Sequence, residues 1–269
     1  MPLFNDAVKM NGSFNRQFSQ ADGAEDVKKY FGDSPVAKHG VCAAAGLFWI
    51  RHHLIHDRLY TNTDLVKDTN QILTTQQALR YRNQPLDHLL LQCGMKHQPT
   101  HLVQYKFGKP KSKHNGDPEF KGIAHFLCDS TGVNTISYPI PSGGRHVAVC
   151  YVDKKRNLHF SDVQKGDVTL PSPASKDWLT QYFEIILNKY GDITVSHFQP
   201  EWNERQFVVE ERKLYADSLH YDPSDFDKSR SIAADDFELQ KKSPTFLFYE
   251  NSKGQSKDTS NLHYALDPC

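Results

Sequence analysis

The chain has 269 residues, of which 38% are hydrophobic and 24% charged, and its formal net charge is zero. This length supports a large domain with a substantial core. The balanced charge gives no bulk attraction to nucleic acid or anionic membranes, and no apolar run reaches the roughly eighteen residues of a membrane span. The N-terminus lacks the apolar segment of a secretory signal. We therefore expect synthesis in the cytoplasm, so that any export would need a dedicated secretion system.

The five cysteines are widely spaced and form no Cys-x-x-Cys pair, which argues against a zinc knuckle or a redox dithiol. We expect reduced thiols, with Cys93 packed at a helix end and Cys150 in the core, and no metal or other cofactor. His52 and His56 have the spacing of a metal-binding pair, but no Glu completes an HExxH motif between them. We expect these histidines to lie on a solvated or interface face instead.

The N-terminal half has the pattern of a helical region. Residues 1–34 are polar with little periodicity and are predicted to form an arm that contains one short helix. From Cys42 onward apolar residues recur at helical spacing, and Asn62 or Thr63 is expected to cap the second long helix. The predicted helices lie at 25–31, 42–60, 64–81, 85–93 and 118–128, and a basic loop is predicted at 105–118.

The period of the apolar pattern then changes to two, which predicts strands. An amphipathic helix opened by Ser172 and Pro173 interrupts them. Helices followed by an antiparallel sheet indicate an α+β fold, which we assign to a catalytic domain at residues 35–200. Residues 201–269 are predicted to form an extension of uncertain order. The predicted strands lie at 134–140, 146–152, 158–163, 192–198 and 245–250, and the inserted helix lies at 175–189.

Cys42 lies where a loop becomes a helix. Unpaired backbone N–H groups and the helix dipole at such a position favour the thiolate, the reactive form of cysteine. The same N–H groups can bind an oxyanion, and Gly40 leaves room for a substrate carbonyl. Cys42 is therefore a candidate nucleophile, although a small buried residue at a helix start would give the same pattern.

A nucleophilic cysteine needs a base, and the base needs a group that orients it. His146 opens a strongly apolar strand, and Asp162 lies near the end of the next strand. If a turn at 153–157 pairs Val152 with Leu158, Asp162 becomes a diagonal neighbour of His146 on the same face of the sheet. A surface hairpin with a solvated His and Asp is the alternative interpretation.

Together these segments resemble the YopT/AvrPphB family of papain-like cysteine proteases, which are bacterial effectors. The matching motifs, within roughly residues 35–200, are GVC at the start of an apolar helix, GGRHVAVCYV and FSDVQKGDV. The resemblance implies a papain-like fold, with a helical N-terminal half packed on a small antiparallel sheet that carries the His and Asp. It implies Cys42 as nucleophile at a helix N-terminus, His146 as base and Asp162 as the residue that orients the base.

Three features depart from the family pattern. Arg145 stands between the glycine and His146, and Val163-Gln164 follow the aspartate where the family usually has Pro-Asn or similar. Papain-like enzymes place an oxyanion-binding Gln or Asn some five or six residues before the cysteine, and this window holds Val36 and Ala37. The candidate substitutes are Ser34, Lys38, His39 and Gln20.

The resemblance implies an exported effector that cleaves peptide bonds in a host-cell protein. Two alternatives remain open on the same scaffold. One is deamidation or transglutamination of a Gln or Asn side chain by the same three residues. The other is a non-catalytic interaction module. The sequence carries no motif that specifies the substrate or the oligomeric state.

Overall fold

The computed structural model describes residues 2–15, 24–38, 40–56, 58–96, 104–107, 118–140, 144–172, 174–191 and 193–222. Helices in these ranges are α1 (Pro2–Lys9), α2 (Ala24–Phe31), α3 (Pro35–Lys38), α4 (Cys42–His56), α5 (Asn62–Tyr81), α6 (Leu86–Gln92), α7 (Pro118–Asp129), α8 (Ala174–Tyr190) and α9 (Glu204–Ser218). Strands are β1 (Ser13–Asn15), β2 (Gln104–Phe107), β3 (Gly132–Pro139), β4 (Arg145–Val152), β5 (Leu158–Asp162), β6 (Gly166–Leu170) and β7 (Ile193–Phe198).

The described strands form one antiparallel sheet of seven strands in the order β1-β6-β5-β4-β3-β7-β2. Central strand β4 pairs with β3 on one side and with β5 on the other. Val152 lies opposite Leu158, so the predicted register of β4 and β5 is confirmed. Because side chains alternate between faces, this register places His146 and Asp162 on the same face.

Different helices cover the two faces of the sheet. On one face, α1, α7 and α8 bury an aromatic cluster that includes Phe4, Phe160 and Trp178. On the other face, α4, α5, α6 and α9 form a second core. Helix α4 approaches β4 closely because Gly46 has no side chain: a Cβ there would lie 2.9 Å from Cγ1 of Val149. This contact fixes the helix that carries Cys42 against the strand that carries His146.

The predicted α+β class is confirmed, with helices preceding and covering an antiparallel sheet. Helix α4 begins at Cys42, as the pattern predicted. Helix α5 is capped by Thr61 rather than by the predicted Asn62 or Thr63, which lie one and two residues later. Its hydroxyl accepts a hydrogen bond from the Asp64 N–H, and the Asp64 carboxylate accepts one from the Thr61 N–H. This reciprocal pair of hydrogen bonds is a capping box. It is recognised only when the capping residue and the residue three positions later are considered together.

Residues 2–15 are not the free arm that their polar composition predicted. Leu3, Phe4 and Ala7 of α1 are buried in the core with α8, and the Leu3 carbonyl accepts a hydrogen bond from the indole N–H of Trp178. Three apolar residues on one face suffice to bury a short helix, because the sheet supplies the rest of its environment. Because the segment is polar on average, its composition did not reveal the apolar face of α1.

Residues 201–222 also contradict the uncertain order expected there. Phe207 and Leu214 of α9 are buried against the α4 side of the sheet, and Glu204 forms an ion pair with Arg51 of α4. The strand predicted at 245–250 lies outside the described residues. Residues 104–107 form β2, so the loop predicted at 105–118 is wrong over its first three residues. Residues 108–117 of that predicted loop lie outside the described residues. The domain boundaries stay predictions.

Strand β6 was missed because it is short and because its outward positions carry polar residues. It continues the sheet beyond β5, from Leu158 opposite Leu170 to Asp162 opposite Gly166. Within the described ranges, none of the helices combines the length and apolar character that a membrane span requires.

Candidate active site

Cys42 begins α4 and is partly exposed. The chain enters the helix through Gly40, whose φ of 103° lies in the left-handed region that favours glycine. Gln76 of α5 supports the same turn, because its Oε1 accepts a hydrogen bond of 3.1 Å from the backbone N–H of Ala44. The first turn of α4 is thus held from behind by a buried side chain, leaving Cys42 at its open end.

Arg80 holds the segment that precedes Cys42. Its guanidinium donates hydrogen bonds to the carbonyl of Val36 at 2.9 Å and to the carbonyl of Gly40 at 2.5 Å. Gln76 and Arg80 are four residues apart on α5, so they lie on the same face of the helix. The sequence pattern did not single out either residue. The available signal in the sequence was the spacing of Gln76 and Arg80, two polar residues four positions apart on a helix with an apolar stripe.

The structure brings together the three residues predicted as a triad. Nε2 of His146 lies 2.9 Å from Oδ1 of Asp162, and both side chains are buried. Because Nε2 faces the carboxylate, Nδ1 is the ring nitrogen left for Cys42. His146 and the backbone N–H of Val147 both act on the Cys42 thiol and lower its pKa. The order Cys42, His146, Asp162 is that of a nucleophile, a base and an orienting carboxylate.

The carboxylate of Asp162 has several further partners. Oδ2 accepts hydrogen bonds from the hydroxyls of Tyr182 at 3.0 Å and Tyr138 at 3.3 Å, and from Nζ of Lys165 at 2.8 Å. Oδ1 accepts one from the backbone N–H of Gln164 at 2.9 Å. A buried carboxylate with this many donors is held in one orientation and stays ionised. Sequence reasoning missed these donors, because tyrosines in strands and helices are usually core residues.

Electrostatics in the site favour a charged pair of Cys42 and His146. Burial opposes ionisation of the Cys42 thiol, but His146, the Val147 N–H and Arg80 outweigh it and lower its pKa. Burial also disfavours the imidazolium of His146, yet Asp162 and Cys42 raise the pKa of His146 to about 10. Burial alone would raise the pKa of Asp162, but the opposite effects of His146 and Lys165 are larger. Together they hold the pKa of Asp162 well below its usual range. The thiolate and imidazolium forms are therefore favoured together.

The positions five and six residues before Cys42, where papain-like enzymes place an oxyanion-binding side chain, hold apolar residues in this structure. Val36 and Ala37 are buried in α3, and Lys38 at its end is exposed. Ser34 caps this short helix through its carbonyl, which accepts the Lys38 N–H. The other substitutes, His39 and Gln20, lie outside the described residues. Arg80 is the cationic group that the structure places near Cys42, a role that the sequence did not suggest.

The remaining cysteines among the described residues have the character of core thiols, as predicted for Cys93 and Cys150. Burial raises the pKa of each to about 12, and that of Cys128 to about 11. A thiol with so high a pKa is unreactive at neutral pH. Cys42 is thus set apart by the direction of its shift. Cys269 lies outside the described residues.

Of the two α4 histidines expected on a solvated or interface face, His56 is exposed as expected, but His52 is buried. His53 of the same helix is also buried. Within the described part of the chain, no group of three or more His, Cys, Asp or Glu side chains is arranged to hold a metal ion. His53 stacks on Trp49 with ring centroids 4.0 Å apart, which accounts for its burial.

Comparison with known proteins adds little to this geometry. No protein-family model matches the sequence, and no curated protein sequence matches it. Among solved structures, the chain is similar to the crystal structure of the Pseudomonas avirulence protein AvrPphB, with 8% sequence identity and a TM-score of 0.44. The similarity covers 64% of this chain and 99% of that chain. At this TM-score the similarity carries no argument about function, and the family resemblance of the motifs stays a prediction.

Proposed function

We propose that the protein is a cysteine hydrolase that cleaves a peptide bond in a protein substrate through an acyl-enzyme on Cys42. The observation that carries the proposal is the line of Cys42, His146 and Asp162 at the open end of α4, with a lowered thiol pKa. Core cysteines of the same chain have raised pKa values, so burial alone does not produce this state. An interaction module has no need for such a thiolate.

Each residue has a distinct role in the proposed reaction. The Cys42 thiolate attacks the carbonyl carbon, and the oxyanion forms near the backbone N–H groups at the start of α4. His146 gives its proton to the departing amine as the C–N bond breaks. Water then attacks the thioester while His146 takes a proton from it, and the acid leaves with Cys42 restored. Asp162 holds the imidazole in orientation and stabilises its charged form.

The family resemblance of the motifs supports a host-cell protein as substrate and an exported bacterial effector as the source of activity. Deamidation by the same residues would replace the departing peptide amine with ammonia and leave the chain intact. Cleavage is preferred because the three sequence motifs resemble those of proteases.

The test is to incubate a eukaryotic cell lysate with the wild-type chain, with Cys42→Ala and with His146→Ala, and to identify new protein N-termini by mass spectrometry. His56→Ala serves as a control, because His56 is exposed on the same helix. We expect new N-termini with the wild type and the control only. Intact proteins with amides converted to acids would favour deamidation, and identical lysates with wild type and Cys42→Ala would contradict both.

A further inference from the structure

Arg80 lies near the end of α5 but acts on the start of α4. Its guanidinium donates hydrogen bonds to the carbonyls of Val36 and Gly40, and Gly40 stands two residues before Cys42. An arginine side chain stays protonated in proteins. A permanent positive charge is therefore fixed beside the segment that leads into the helix of the nucleophile.

The proposed reaction moves negative charge from sulfur to oxygen. When the Cys42 thiolate attacks a carbonyl carbon, the new C–S bond displaces an electron pair onto the carbonyl oxygen, which becomes an oxyanion. Positive groups that are already in place before the oxygen becomes charged lower the barrier, because nothing has to reorganise during the reaction. A second oxyanion forms when water attacks the thioester, so the same stabilisation is needed twice.

The segment before Cys42 does not bring a polar side chain to this point from its own helix α3. Val36 and Ala37 are both buried there. It is the backbone of this segment, the Val36 carbonyl, that binds Arg80. A side chain from α5 therefore supplies a charged group where α3 carries apolar ones.

Arg80 and His146 act on Cys42 from different elements and with different strength. The imidazole comes from β4 and lowers the pKa of the thiol more than Arg80 does from α5. Since the interaction of two charges weakens with distance, this order indicates that the guanidinium lies farther from the sulfur than the imidazole. His146 loses its charge when it protonates the departing amine, whereas Arg80 keeps its charge through every step.

We propose that Arg80 stabilises the oxyanion that forms next to Cys42. The inference rests on the proposed function, because an oxyanion exists only if Cys42 attacks a carbonyl. Arg80 acts here through its charge and needs no direct contact with the substrate. The hydrogen bonds to Val36 and Gly40 hold the guanidinium in one position, so that its field is present before the reaction begins.

The test compares two reactions of the same thiolate. With p-nitrophenyl acetate, the sulfur attacks the carbonyl carbon, an oxyanion forms, p-nitrophenolate leaves and Cys42 carries an acetyl thioester. With iodoacetamide, the sulfur displaces iodide from the methylene carbon and no oxyanion forms. Both reactions require the thiolate, so its fraction cancels in the ratio of the two rate constants. Cys42→Ala gives the background of each reaction.

We expect Arg80→Met to lower the ratio of acetylation to alkylation roughly tenfold, as the loss of a preorganised charge near the oxyanion requires. Arg80→Lys keeps the charge and should retain most of the ratio, whereas Arg80→Gln keeps a donor without the charge and should behave as Arg80→Met. Arg82→Met is the matched control and should leave the ratio unchanged, because Arg82 caps the end of the same helix and pairs with Asp217.

Three results would overturn the inference. They are a wild-type ratio in Arg80→Met, an equal fall of the ratio in Arg82→Met, and a ratio in Arg80→Lys as low as in Arg80→Met, since the hydrogen bonds and not the charge would then be responsible. Neither reaction cleaves a peptide bond, so the proposed function fails separately, if wild type and Cys42→Ala leave identical protein N-termini in the lysate whatever the ratio.

Discussion

The ammonium of Lys165 lies 2.8 Å from Oδ2 of Asp162, on the carboxylate oxygen that does not face His146. Lys165 and His146 therefore share one negative charge. Each of the two positive groups lowers the pKa of Asp162, and both interact with the same negative charge. We therefore expect Lys165 to limit how strongly Asp162 favours the imidazolium form of His146.

Replacing Lys165 by Met should raise the pKa of His146 further, because the carboxylate then acts on the imidazole alone. We expect the alkaline limb of the pH–activity profile to move to higher pH, and the free energy of unfolding to fall by about 2 kcal/mol through loss of a charged hydrogen bond. Lys154→Met, in the exposed turn after β4, is the matched control. An unchanged alkaline limb would show that Lys165 has only a structural role.

Replacing Arg80 by Met should raise the pKa of the Cys42 thiol, because the guanidinium charge lowers it. The segment at Gly40 also loses a hydrogen bond, and a misplacement of about 1 Å at a reacting group can slow turnover roughly a hundredfold. The measurement is the pH dependence of Cys42 alkylation, with Lys67→Met on the exposed side of α5 as control. Arg80→Lys should restore part of the pKa shift. Equal profiles for Arg80→Met and wild type would refute the role.

Asp162→Asn should lower turnover by roughly a thousandfold or more, because the imidazole loses its orienting charge. The free energy of unfolding should also fall by about 3 kcal/mol, since two cationic groups lose a buried partner. In the wild type, the depressed pKa of Asp162 adds stability above about pH 4, and this stability is lost as the pH falls further. Chemical denaturation from about pH 6 to 2 measures it.

That acid-side loss should be shallower in Asp162→Asn than in the wild type. Asp129→Asn, which removes an exposed carboxylate, should leave the curve nearly unchanged. If Asp162→Asn unfolds with the same dependence on pH as the wild type, the carboxylate is not held ionised by the folded protein.

His53 should make stability depend on pH in a different range. Burial, with the charges of His159 and His52, lowers the pKa of His53 to about 3, whereas an unfolded chain has a value of about 6.5. The unfolded state therefore binds the proton first. The free energy of unfolding falls as the pH drops below about 6.5, by up to about 1.4 kcal/mol per unit.

His53→Phe keeps a ring stacked on Trp49 and removes the titrating group. We expect its free energy of unfolding to vary less than that of the wild type between about pH 6 and 4.5. His56→Phe changes an exposed histidine of the same helix and should behave as the wild type. A wild-type stability that is flat over this range would contradict the burial of a neutral His53.

The sequence sufficed to predict elements whose pattern is local. The helix at Cys42 and the register of β4 against β5 followed from apolar spacing and from the turn at 153–157. That register is what brings Asp162 to the face of His146. Helices α1 and α9 are buried by segments that are distant in the chain. For these two helices the average polarity of the sequence predicted an arm and an extension of uncertain order instead of packed helices.

Several of the partners that surround the site could not be predicted, because their contacts join residues far apart in the chain. Gln76 reaches Ala44 across 32 positions, and Tyr138 reaches Asp162 across 24. Their side chains are ordinary for a helix and a strand, and only packing gives them a role. The three candidate residues could be picked out because they lie at element ends, where a polar residue beside an apolar run is unusual.

The most direct test of the central claim is the rate of iodoacetamide labelling of Cys42 as a function of pH, in the wild type and in His146→Ala. An ion-paired thiolate predicts rapid labelling already at about pH 5 to 6 in the wild type, lost in the variant. Cys93 and Cys150 serve as internal references, because burial raises the pKa of both. Labelling of Cys42 that rises only near about pH 8 to 9, or that is unaffected by His146→Ala, would contradict the account.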